Sequence, residues 1–216
     1  MLKVLYEDNH LIAVYKPAGV LVQGDETGDA TLMDEVKYYL KTKYNKLGKV
    51  FLGLVHRLDR PVSGVILFAK TSKGASRISE QIRNHEVEKI YHSLVIGKPK
   101  KQKDTLVHWL KKDETVNRAT VYEREVQDAL HAELSYEVVQ SNGTYSIVKI
   151  QLKTGRPHQI RAQMSAIGHP IVGDVKYGGS PADDIALCAT SLSFTTATGE
   201  ERKTIEIEIP KGWSKK

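Results

Sequence analysis

The sequence predicts an α+β fold, a mixed, largely antiparallel sheet with flanking helices. Three observations lead there. Short segments of alternating polarity recur, as in His131–Val139, where Ala132, Leu134, Tyr136 and Val138 share one face and Glu133, Ser135 and Glu137 the other. Turn signals such as Asn142-Gly143 separate neighbouring segments at hairpin spacing. Helical periodicities are few and scattered, without the strict strand–helix alternation of a doubly wound parallel sheet.

Taken in order, Lys3–Tyr6 and His10–Tyr15 read as a hairpin around Glu7-Asp8-Asn9, terminated by Lys16-Pro17-Ala18-Gly19. Gln23–Asp29 is a polar, glycine-bearing loop. Thr31 with Asp34 three residues on resembles a capping box, and Leu32, Val36, Tyr39 and Leu40 mark the buried face of the helix it opens. The apolar runs Val50–Val55 and Val65–Ala69 are expected to be two buried strands flanking one short polar segment. Ser72 is placed as the cap of a helix carrying Ala75, Ile78 and Ile82 to about Asn84. Glu88–Gly97 is a strand, Lys98–Asp104 a solvated basic loop, and Leu106–Lys111, Ala119–Glu123 and His131–Val139 are further strands.

Beyond the Asn142-Gly143 turn, Ser146, Val148, Ile150 and Leu152 form the inner face of the next strand. Asn142-Gly143-Thr144 also fits a glycosylation sequon, but the turn is the preferred reading. Pro157 is expected in the first turn of a helix with Ile160, Met164 and Ile167 on one side, closed by Gly168 and then Pro170. The C-terminal third returns to strands, the last being Thr204–Pro210 with Ile205, Ile207 and Ile209 inward.

At 216 residues the chain can build one large domain or two small lobes. Its 40% hydrophobic and 27% charged residues are ordinary for a soluble globular protein. No apolar run approaches the roughly 20 residues that cross a bilayer, and Met1–Asp8 lacks the apolar core of a signal peptide. The single cysteine, Cys188, excludes an internal disulfide and any multi-cysteine metal site. A cytoplasmic protein is expected, with a monomer as the simplest assembly. The net charge of +6 favours a polyanionic partner, RNA or DNA, although a merely soluble basic protein would show the same excess.

Two constellations could carry chemistry. In His56-Arg57-Leu58-Asp59-Arg60-Pro61-Val62-Ser63-Gly64, a carboxylate emerges between two arginines from a frame of apolar runs. Such an aspartate is kept ionised and can act as nucleophile or base; the alternative is a structural ion pair at a strand end. In Thr154-Gly155-Arg156-Pro157-His158-Gln159-Ile160-Arg161, His158 and Arg161 are three apart and share a helix face, with donors suited to phosphate or carboxylate. Arg161 could meet Asp59 as a bidentate partner. Tyr91 lies in a strand, where packing is the usual role, and Tyr177 is read as loop structure. His56, Asp59 and His158 match no metal-ligand spacing, and no glycine-rich phosphate loop is present, so neither metal nor organic cofactor is expected.

These segments, in this order, resemble the RluA-type family of pseudouridine synthases, which isomerise uridine in ribosomal or transfer RNA. The resemblance runs from Tyr6–His10 and Lys16–Gly19 through His56–Gly64 and Lys89–Val95 to Leu152–Arg161 and Gly168–Asp174. The His-Arg-Leu-Asp and Gly-Arg-x-His-Gln-Ile-Arg pair, about a hundred residues apart, is its most specific part. The resemblance implies that Asp59 attacks the target uridine at the ribose anomeric carbon or the uracil ring. It makes Tyr91 the tyrosine that stacks on uracil and assists proton removal from ring carbon 5, and Arg161 the residue that pairs with and orients the aspartate. It makes Arg57 the residue that fills the gap left by the flipped nucleotide; Arg156 and His158, from the donors of their own segment, are expected to contact RNA, with a solvated basic surface as the alternative for Arg156. No metal or cofactor is implied.

Val62 stands where many relatives have threonine. The chain is expected to be a single catalytic domain over 1–216, without the separate N-terminal RNA-binding domain that many relatives carry. Two other classes compete: a catalytically silent RNA-binding protein on the same scaffold, and a metal-assisted phosphodiesterase using His56, Asp59 and His158.

Overall fold

The computed structural model describes residues 2–24 and 28–213, so the middle of the Gln23–Asp29 loop lies outside the described residues. Among the described residues, eleven strands and three helices confirm the α+β class. The chain divides into two compact units, Met1–Val87 with Ser191–Ile207, and Glu88–Thr190 with Glu208–Lys216.

In the first unit, β1 (Val4–Glu7) and β2 (Leu11–Lys16) form the expected hairpin. Asp8 makes its turn, accepting the amides of His10 and Leu11 at 2.7 and 2.6 Å. On its other side β2 pairs antiparallel with β4 (Ser63–Ala69), from Leu11–Ala69 to Lys16–Gly64. The run Val50–Val55 yields only a two-residue strand, β3 (Gly53–Leu54), against the end of β4, and Phe51 is exposed. Leu21 and Thr31 add an isolated parallel bridge.

α1 (Leu32–Lys43) opens with the predicted capping box of Thr31 and Asp34. α2 (Ser72–Arg83) is capped one residue earlier than expected, because Thr71 rather than Ser72 accepts the Gly74 amide. Leu11, Ala13, Val65, Leu67, Ile78, Leu192 and Phe194 pack into the core of this unit.

In the second unit, β5 (Glu88–Ile96), β9 (Tyr145–Leu152), β8 (Leu130–Ser141), β6 (Lys103–Asp113) and β7 (Arg118–Tyr122) pair antiparallel in that spatial order. The basic loop is thus shorter than expected, since Lys103 and Asp104 already pair with β8. Gly143, with φ +91, and the Asn142 side chain form the β8–β9 turn. α3 (Gln159–Ala166) packs in a small core with Leu110, Ala119, Ala132, Ala162 and Tyr177.

β10 (Leu187–Thr195) starts in the second unit and ends in the first, where it pairs with β11 (Arg202–Glu206). The final strand therefore stops before Ile207, although Ile205 and Ile207 still face the first core. Among the described residues no helix is long and apolar enough to cross a membrane.

Gly74 marks the closest approach of α2 to the β1–β2 hairpin: a Cβ there would lie 2.6 Å from the His10 carbonyl oxygen. Alanine is the better helix former by about 1 kcal/mol, but overpacking against backbone costs about 1–3 kcal/mol. Gly74→Ala should therefore lower the urea midpoint, and an unchanged or raised midpoint would contradict this packing.

Candidate active site

Asp59 sits half-buried in the connection from β3 to β4, between exposed Arg57 and Arg60, with Leu58 and Val62 buried on either side. Each part of this connection is tied down. The Asp59 carbonyl accepts the Val62 amide at 3.0 Å. His56 Nε2 accepts the Leu67 amide of β4 at 2.9 Å, which puts the neutral ring's proton on Nδ1. That lone pair is committed to the frame.

Arg60 departs from the sequence reading. Its guanidinium reaches the Gly19 carbonyl at 3.0 Å and Asp29 at 2.9 Å, so it braces the loops instead of flanking the carboxylate. The cation that sequence reasoning missed is Lys16, whose residue is 0% exposed. Its ammonium donates to the carbonyls of Pro17 (3.0 Å), Val20 (2.7 Å) and Arg60 (2.8 Å), the last adjoining Asp59. The Gly19 amide bonds the same Arg60 carbonyl at 2.9 Å. Burial pushes Lys16 down to about 8; the Asp59 carboxylate opposes that shift and the Arg60 charge adds to it. No local pattern in the sequence marks this lysine, because the Arg60 carbonyl it holds comes from a segment 44 residues away.

In the second unit, Tyr91 lies on β5 opposite Ile150 and is 8% exposed. Lys89 shares its face by strand alternation, and burial pushes that lysine down as well. The predicted helix around Pro157 starts later than expected. His158 takes a left-handed conformation, φ 55, and α3 begins at Gln159.

The Gln159 side chain explains this. Its Oε1 accepts the Arg156 amide (2.9 Å) and the Thr154 hydroxyl (2.8 Å), while Nε2 donates to the Glu133 carbonyl (3.0 Å), closing the loop before the helix. Arg156 is held by its Nε on the His131 carbonyl at 2.7 Å.

His158 and Arg161 converge on a segment that the sequence reading took for loop structure. Arg161, 6% exposed, makes a bidentate pair with Asp174, Nε–Oδ2 at 2.7 Å and Nη2–Oδ1 at 2.8 Å. Its guanidinium lies over the Tyr177 ring, 5.1 Å from the centroid. His158 Nδ1 is 2.9 Å from the Tyr177 hydroxyl, which also accepts the Ala119 amide at 2.7 Å. Tyr177 closes a 3₁₀ turn, Val175–Tyr177, and burial raises its phenol. Gly179 is required beside it, because a Cβ there would fall 1.9 Å from the Ile171 carbonyl oxygen.

The first unit thus holds a half-buried aspartate on a braced turn, and the second a buried strand tyrosine and a buried arginine paired with Asp174. The chain belongs to the RNA pseudouridylate synthase family, whose model its residues 10–166 match. It is 32% identical over 235 residues to tRNA pseudouridine synthase C of Vibrio vulnificus, covering 99% of this chain and 93% of that protein. It is also 32% identical over 200 residues to ribosomal large subunit pseudouridine synthase D of Zymomonas mobilis, covering 89% of this chain and 61% of that one. The solved structure of human RNA pseudouridylate synthase domain containing 4 shares the fold, with a TM-score of 0.82 at 22% identity over 98% of this chain and 90% of that one.

Lys16 yields a prediction with a definite sign. Its folded value of about 8 lies below the ordinary 10.5, so between those values the unfolded chain binds more protons and stability rises with pH. Lys16→Met removes this contribution. It should also cost about 3 kcal/mol by orphaning buried carbonyls. Urea melts from pH 7 to 10.5 should show the wild-type advantage growing with pH. A constant difference would refute the buried-ammonium assignment.

Proposed function

We propose that the protein is an RNA pseudouridine synthase, an isomerase that converts uridine to pseudouridine in transfer or ribosomal RNA, with Asp59 as the nucleophile. Membership of the family supports the reaction class, and the relatives named for tRNA and for the large ribosomal subunit support the substrate class. The observation that carries the assignment to Asp59 is its turn, clamped by Lys16, Gly19 and His56 so that one carboxylate is presented from a rigid frame.

The uridine must first leave its stack, at a cost of a few kcal/mol. Arg57, exposed beside Asp59, fills the vacated space, and Arg156 and His158 contact the RNA. The Asp59 carboxylate then attacks the anomeric carbon or the uracil ring. The glycosidic bond from the anomeric carbon to ring nitrogen 1 breaks, the base turns, ring carbon 5 bonds to the anomeric carbon, and the carbon–oxygen bond to Asp59 breaks to return the free carboxylate. The proton on carbon 5 departs with the help of Tyr91, and nitrogen 1 takes up a proton. No oxidant or reductant is needed, since the product is an isomer of the substrate.

Arg161 orients the nucleophile, and its bidentate hold on Asp174 fixes its own guanidinium in place. No step calls for a metal or an organic cofactor. The protein acts in the cytoplasm as a monomer.

Asp59→Asn preserves shape while removing the nucleophile. It should retain RNA affinity and thermal stability but lower pseudouridine formation at least about a thousandfold, scored by nucleoside chromatography of digested RNA. Wild-type turnover in that variant would overturn the assignment.

A further inference from the structure

A second basic surface lies in the first unit, on α1 and the chain that leaves it. From Val36 to Leu58 the sequence holds five lysines and Arg57 and no acidic residue. Lys43 is committed to Glu7 at 2.7 Å, and Lys46 lies 5.9 Å from the centroid of the Tyr44 ring. Lys37 and Lys41, four apart, stack on one face of α1. With Lys49 they line an open groove of about 410 Å³ whose walls include Tyr38 and Leu47. Tyr38 is 73% exposed and Leu47 98% exposed.

Lysines around an exposed aromatic ring and a shallow apolar floor combine phosphate attraction with a stacking surface. Of the nearby acids, Asp34 is engaged by Thr31 in the cap, and Glu35 lies in the first turn of α1, a turn before Tyr38.

The groove and the proposed nucleophile belong to the same unit. Lys49 precedes Asp59 by ten residues, which limits their separation to about 35 Å even for a fully extended chain. That is within reach of one folded RNA element.

We infer that the groove formed by Lys37, Tyr38, Lys41, Leu47 and Lys49 is a second RNA contact, holding the backbone and one unpaired base of the substrate away from the modified uridine. The inference rests on RNA being the substrate and deepens that reading by assigning part of its recognition. The lysines track phosphates, and a base released from its helix stacks on Tyr38. The contact gives affinity for a structured RNA without touching the reacting nucleotide.

The test uses the full chain and a pool of unmodified bacterial tRNA transcripts as probe, with binding measured by fluorescence anisotropy at several salt concentrations. Lys37→Gln/Lys41→Gln/Lys49→Gln should weaken binding about tenfold or more and reduce the slope of log affinity against log salt by about 2. Tyr38→Ala should weaken it about fivefold or more with the slope unchanged. Lys98→Gln/Lys100→Gln/Lys101→Gln removes equal charge from the β5–β6 loop and serves as the control.

A patch variant within twofold of wild type, or equal losses in patch and control variants, would overturn the inference. Pseudouridine formation by the wild-type protein in the same transcripts is read separately. Its absence would count against the proposed function, whereas binding alone decides the groove.

Discussion

The buried ammonium of Lys16 is the interaction on which the Asp59 turn depends. Removing a charged amine from water costs several kcal/mol even after relaxation, and this side chain offsets part of that cost by donating to three backbone carbonyls. Two belong to the loop that follows β2 and the third is that of Arg60, beside Asp59. A neutral apolar residue would take the side-chain donor from the Pro17 and Val20 carbonyls and leave that of Arg60 with the Gly19 amide. The ammonium therefore fixes the turn mechanically.

The second unit solves an analogous problem around Arg161. A guanidinium buried on a helix needs a carboxylate and an aromatic or polar surround. Asp174 and the Tyr177 ring provide them from a turn that only glycine at position 179 permits. His158 adds an edge-on contact and a hydrogen bond to the same tyrosine. Loss of any member loosens the others, because the donors and acceptors here are shared and largely out of water.

Much of the architecture was legible from local pattern. The period-2 alternation of β8, the Asn142-Gly143 turn and the Thr31–Asp34 capping box each encode their own geometry within a few residues. The Val50–Val55 run misled because apolar content does not distinguish a paired strand from a chain that leaves Phe51 in solvent. The Pro157 helix start misled because Gln159 holds the preceding loop through side-chain bonds to Thr154, Arg156 and Glu133. Asp59 and Arg161 stood out as candidates by motif, and Tyr91 through the family resemblance. Lys16, Asp174 and the placement of the Arg60 side chain depend on contacts between segments far apart in sequence, which no local period records.

The account requires the bond between ring carbon 5 and its hydrogen to break whenever the new carbon–carbon bond forms. RNA transcribed with uridine tritiated at carbon 5 reads that event directly. The account predicts tritium released to water in step with pseudouridine formed, and no release with the Asp59→Asn protein. Pseudouridine-free RNA with all of its label retained, after exposure to active-fold protein and a broad set of transcripts, would contradict it.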